Sequence, residues 1–305
     1  MPARLILNAD DFGLTNGINR AVAELHQAGV LTSATLMANG PAFQDAVRIA
    51  LDHPSLGVGC HIVLTDGVPV SPPEAIPTLL SADGRTFRPK LTQFIRDLLL
   101  GRIRESEIQC EALAQVRKIQ HSGIRITHLD THKHTHVFPP VTRALLQVMQ
   151  VTSVAALRNP FEPDHTRAYA RLKRRLQISL LNEFQNGFHR IIPPSLTTNG
   201  TFGISATGSL NAEELSELFR HIPGQGTFEL LCHPGYNDQD LDAIPTRLRE
   251  HRQTERRALL REVPAMLLHP QSPQLIHYGD AFGDPKVNAP GKPCKPAPME
   301  PGNVD

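Results

Sequence analysis

Short apolar runs alternate along this chain with stretches of helical hydrophobic periodicity, and that alternation limits the fold more than any other feature. Leu5–Leu7, Ser33–Asn39, Gly57–Leu64, Ile124–Leu129, Val154–Arg158, Thr227–Cys232 and Gln274–Tyr278 read as strands. The segments Thr15–Gln27, Pro41–Asp52, Leu91–Leu100, Ile103–Gln120, Val141–Met149, Arg167–Phe184, Asn211–Phe219 and Pro245–Glu262 read as helices. In the first helix Thr15 is placed to cap, Ile18, Val22 and Leu25 share one face, and Gly29 is the stop. Residues 187–210 are rich in Gly, Pro and Thr and receive no assignment. There is no internal repeat. Alternation of this kind calls for a parallel sheet covered on both faces. An irregular (β/α) barrel, TIM-barrel-like, with seven to eight parallel strands accounts for the count, and a doubly wound open sheet is the alternative. Either way, function is expected at the carboxyl ends of the strands.

Length and composition refine this. The chain has 305 residues, which at about 150 per domain suggests two domains but suits one barrel equally well. Residues 1–284 are expected to form a single domain. Residues 285–305 carry six Pro and little apolar content, and are expected to be a disordered tail. A net charge of +1 offers no basic excess for a nucleic-acid backbone, and the lack of Trp disfavours a base-stacking surface. The four Cys, at 60, 110, 232 and 294, form no C-x-x-C pair and no disulfide scaffold. The N-terminal apolar stretch is too short for a signal peptide, and no apolar run reaches the length of a membrane span. A cytoplasmic protein is therefore expected. Assembly into a homo-oligomer is compatible with the sequence but has no marker in it.

The strand ends concentrate ionisable groups. The first closes on Asn8-Ala-Asp10-Asp11-Phe12-Gly13, where one carboxylate could bind a metal while the other acts as a base, although Asp and Gly also make turns. His61 lies within the third run, toward its end, as either a ligand or a core histidine. In Thr127-His-Leu-Asp-Thr-His-Lys-His-Thr-His136, His128, Asp130, His132, His134 and His136 alternate, so an extended segment would turn all five to one side. Such crowding is costly to bury without a cation, and imidazole with carboxylate suits zinc and related metals; the alternative is an exposed His-rich loop. His233 follows the sixth run, before Pro234-Gly235, as a reactive group or a simple strand terminator. Arg158 could touch substrate or pair with a carboxylate. Gly13-x3-Gly17 lacks the G-K-[ST] of a phosphate loop, G-x-S-x-G is absent, and Arg171–Arg175 reads as a solvated helix face. The segments 68–77 and 81–90 are long enough to cover a cleft.

Taken together, Asn8–Gly13, Gly59-Cys-His61 with Leu64-Thr65, Thr127–His136 and Cys232-His-Pro-Gly-Tyr236 resemble the YdjC-like carbohydrate deacetylase family, which includes chitooligosaccharide deacetylases and hopanoid-biosynthesis-associated members. The resemblance spans roughly 4–280 and is weakest across 160–225. It implies an irregular (β/α) barrel holding one divalent metal ion, Mg2+ or Zn2+, on Asp11, His61 and His132. It also implies Asp10 as general base, His233 as general acid, and Asp130 with His134 or His136 as groups that orient the ligands. Thr131, where the family often has Ser, and Lys133 are departures. The implied reaction is metal-dependent removal of the N-acetyl group from an amino sugar, with release of acetate. The alternatives are metal-dependent hydrolysis of a phosphoester or cyclic amide, and sugar binding without turnover.

Overall fold

The computed structural model describes residues 3–163 and 172–283. The expected tail, 285–305, and the start of the expected helix 167–184 lie outside the described residues. The elements run β1 (Arg4–Phe12), α1 (Asn16–Gln27), β2 (Ser33–Leu36), α2 (Phe43–Asp52), β3 (Gly57–Ile62), α3 (Leu91–Leu99), α4 (Glu105–His121), β4 (Ile126–Thr131), α5 (Pro139–Thr152) and β5 (Ala156–Leu157). They continue with α6 (Leu172–Asn182), α7 (Gln185–Ile191), β6 (Thr201–Phe202), α8 (Ala212–Arg220), β7 (Thr227–Cys232), α9 (Gln239–Asp242), α10 (Glu250–Leu267), β8 (Gln274–Leu275) and α11 (Tyr278–Phe282).

All the strand pairings are parallel, in the order β5-β4-β3-β2-β1-β7-β6, with β8 beside the start of β1. β1 is central and buried from Leu5 to Phe12, which explains its apolar start. The sheet curls into a barrel; among the described residues no ladder joins its edges, β5 and β6, and the segment just after β5 links them. The Thr201 amide donates to Phe161 O and the Thr201 hydroxyl to Asn159 O, at 3.0 and 2.5 Å. This is the irregular α/β barrel expected from the alternation.

Local chemistry sets the elements. Thr15 Oγ1 accepts from the Ile18 amide and caps α1, and Gly29 beyond its end takes φ +69°, a left-handed turn glycine adopts without strain. Gly59 is required by packing: a Cβ there would sit 2.5 Å from His128 Cε1. That imidazole stacks on Tyr278 at 3.7 Å inside the barrel.

Several boundaries differ from the sequence reading. The unassigned region 187–210 holds most of α7 and the short β6. α10 starts at Glu250 rather than Pro245 and continues to Leu267 despite Pro264. The last strand stops at Leu275, and a His277–Asp280 capping box starts α11. The segments 68–77 and 81–90 are bolted down: Glu111 accepts the Val70 and Ser71 amides, and Ile76 and Phe87 are buried.

Candidate metal centre and its buried support

Register brings the strand ends together. Ala9 pairs with Cys232, so Asp10 and Asp11 emerge beside His233, while His61 pairs directly with Asp130. At Asp11 the backbone enters the left-handed region, φ 65°, an unusual conformation for a non-glycine residue that aims two successive carboxylates into one mouth.

The alternation from 128 to 136 holds only as far as Thr131. Beyond it the chain forms a short 3-10 turn, His132–Val137, with Lys133 and His134 at φ 57° and 53°. Hence the five groups do not share one face. His128 packs deep in the barrel, Asp130 sits above it, and His132 swings toward Asp11. His136 is buried with Nδ1 2.6 Å from the Thr131 hydroxyl, bracing the turn. His134 is partly buried, and burial pushes its pKa down to about 3. Lys133 pairs with Asp66 from the loop after β3, clasping two loops at the rim.

Three donor atoms form a triangle at the mouth. Asp11 Oδ1 lies 3.7 Å from His61 Nε2 and 3.7 Å from His132 Nδ1, and the two nitrogens are 3.3 Å apart. Ligand atoms about 2.1 Å from one ion, opened to a tetrahedral angle, lie about 3.4 Å apart, so the triangle fits a small divalent ion. The donors are prepared for it. His61 Nδ1 contacts Asp130 Oδ1 at 2.8 Å, leaving Nε2 toward the triangle, the carboxylate–histidine arrangement of many metal sites. Charge points the same way: the buried carboxylates of Asp10, Asp11, Asp130 and Glu229 face two buried guanidiniums, Arg158 and Arg252. Burial works against the His61 imidazolium, yet Asp130, Asp10 and Asp11 override it and raise its pKa to about 9. Without an ion, a proton at His61 supplies part of the missing positive charge.

Asp10, His61 and Asp130 form a second cluster of possible donors. Here the cation is already present. Arg158 bonds Asp10 through Nη1 and Nη2 at 2.9 and 2.7 Å, contacts Asp130, and grips Glu229 through Nε and Nη2 at 2.9 and 2.6 Å. Burial works to raise the Asp10 carboxyl, but Arg158 and His61 outweigh it and hold it well below the usual carboxylate range. The Thr35 hydroxyl lies 3.2 Å from both Asp10 Oδ1 and Asp130 Oδ2. Of the two readings of Arg158, the geometry shows the pairing with carboxylates.

His233 Nε2 stands 3.9 Å from Asp10 Oδ2, and burial lowers its pKa to about 4 against the pull of Asp10 and Asp11, so the imidazole is neutral at neutral pH. Sequence reasoning missed Thr35, Glu229, Arg252 and Tyr278. Glu229 had a signal, a lone charge inside an apolar strand; its carboxylate takes a 2.5 Å bond from Tyr278 Oη. Arg252 had none, standing among the many arginines of residues 247–261.

Fold and site define an α/β-barrel protein in which one carboxylate and two imidazoles that could hold a metal ion meet at the carboxyl ends of the strands. The model of the YdjC-like protein family matches residues 4–268, and the chain belongs to that family. A carbohydrate deacetylase of Brevibacillus brevis is 31% identical over 91% of this chain and 99% of its own length. One from Geobacillus stearothermophilus is 35% identical over 79% of this chain and 83% of its own. Among solved structures, an Enterococcus faecalis protein described as a cellobiose-phosphate cleavage protein superposes with a TM-score of 0.74 at 23% identity, covering 92% of this chain and 99% of its own. That likeness concerns the fold.

Proposed function

We propose that this protein is a metal-dependent carbohydrate deacetylase that hydrolyses the acetamide of an N-acetylated amino sugar to acetate and a free amine. The observation that carries the reading is the placement of Asp10 and His233 beside the Asp11–His61–His132 triangle. The names of the relatives support the same activity.

Asp11, His61 and His132 would hold the ion. Two imidazoles and a carboxylate favour zinc by ligand type, with magnesium the alternative. When bound, a divalent ion supplies polarisation of the acetamide carbonyl and a lowered pKa for water. Asp10 is the base that takes the water proton as the oxygen attacks the carbonyl carbon. Arg158 and Thr35 keep its carboxylate ionised and fixed. The same pairing weakens Asp10 as a base, so it suits only a water that is already acidified. His233, neutral beforehand, receives that proton and becomes the acid; Asp10 and Asp11 favour its charged form. It then protonates the nitrogen as the C–N bond breaks, which releases the amine. Asp130 keeps His61 aimed, and His136 supports the turn that carries His132.

A phosphoester substrate is disfavoured, because Arg158 and Arg252 are committed to carboxylates and Lys133 to Asp66. We also read the protein as cytoplasmic, since Cys60 and Cys232 are free and buried. Among the described residues no helix is long and apolar enough to cross a membrane.

The test is acetate release from N-acetylated chitooligosaccharides with and without a chelator. Release that the chelator abolishes supports the reading; no release from any N-acetylated sugar, or release indifferent to the chelator, contradicts it.

A further inference from the structure

α10 lies outside the barrel, yet one of its side chains reaches the metal-side carboxylate. Arg252 is the only buried arginine of residues 247–261. Its Nη2 donates to Asp11 Oδ2 at 2.5 Å, and its Nε donates to Leu248 O at 3.1 Å. The backbone fixes the approach. The Gly235 amide donates to Arg252 O at 3.2 Å, and the His233 amide donates to Glu255 Oε2 at 2.6 Å. A Cβ on Gly235 would crowd Arg252 Cδ at 3.0 Å, so this position of the Pro-Gly turn lets the side chain pass.

The two oxygens of Asp11 therefore have different partners. Oδ2 belongs to Arg252, while Oδ1 alone faces His61 and His132. A free carboxylate can bind a cation through one oxygen or two. Binding through two would fill a position that hydrolysis needs open for water or the carbonyl.

We infer that Arg252 is a positioning residue that holds Asp11 to one-oxygen ligation and so keeps a coordination place free at the Asp11–His61–His132 centre. This rests on the metal reading above.

The experiment loads metal-stripped wild type, Arg252→Gln, Arg252→Lys and His132→Ala with Mn2+. It records Mn2+ affinity, water-proton relaxation per bound Mn2+, melting temperature, and kcat and KM for acetate release. Three protein ligands leave about one to three places for water, so losing one lowers the inner-sphere relaxation by at least about a third. In Arg252→Gln we expect that fall, unchanged or tighter Mn2+ binding, and kcat reduced about 10- to 100-fold with KM little changed. Arg252→Lys keeps a buried cation against Asp11, protecting the fold, and makes one looser contact, so its relaxation and kcat should lie between. Unchanged relaxation in Arg252→Gln, weaker Mn2+ binding in step with a lower melting temperature, or wild-type relaxation and kcat in Arg252→Lys would overturn the inference. If wild type fails to take up one Mn2+, or His132→Ala binds it equally well, the metal reading falls instead.

Discussion

Two clusters of carboxylate and imidazole share His61 at the barrel mouth, and they are built for opposite ends. Around Arg158, every carboxylate has found a permanent cation: Asp10, Asp130 and Glu229 converge on one guanidinium that is wholly buried. Around Asp11, the donors converge on one another, and His132 keeps 24% of its side chain exposed. The residue types are nearly the same. What separates them is how far the protein's own cations reach: Arg158 takes up the carboxylates around it, whereas Arg252 takes only Oδ2 of Asp11 and leaves Oδ1 to face the two imidazoles. The saturated cluster holds Asp10 and His61 still, and the open one can then bind and exchange.

The comparison breaks first at Arg158. Arg158→Met leaves three buried acids without their partner and should cost about 3–5 kcal/mol or prevent folding, measured by urea unfolding of metal-free protein. A variant as stable as wild type would show that the cluster is not held by this charge. On the open side, Asp11→Ala or His132→Ala should abolish stoichiometric ion uptake and lower acetate release about 100-fold or more, with little change in secondary structure by circular dichroism. Asp10→Asn straddles the two: ion uptake should persist while kcat falls about 10²- to 10⁴-fold, and full activity would remove Asp10 as the base.

The most graded effect is pH. His61 carries a proton below a pKa of about 9 in the ion-free protein, and an ion binds only its neutral form. Binding must therefore displace that proton below about pH 9. Affinity should rise about tenfold per pH unit on approach to that value and level off above it, as titration calorimetry in two buffers would show. Affinity independent of pH between 6 and 8 would show that ion binding displaces no proton from His61.

The sequence carried the barrel because β-α alternation is a periodic signal, and it placed Asp10, Asp11, His61, Asp130 and His233 correctly at strand ends. It failed where geometry depends on single backbone angles. The alternation through His136 looked like one extended face, but the positive φ of Lys133 and His134 folds it into a turn. It also failed where a partner comes from far along the chain. Arg252 meets Asp11 across 241 residues, and Glu229 meets Arg158 across 71. Neither pairing leaves a local pattern, because each is made by the curl of the sheet and the packing of one helix.

The account's central claim is that one ion on Asp11, His61 and His132 is required for hydrolysis of an N-acetylated sugar. Titrating zinc or magnesium into metal-stripped protein while recording acetate release from N-acetylated chitooligosaccharides tests it most directly. The account predicts no release without an ion, and a rise that stops at one ion per chain and is absent in His132→Ala. Full release by the stripped protein, or a rise undiminished in His132→Ala, would contradict it.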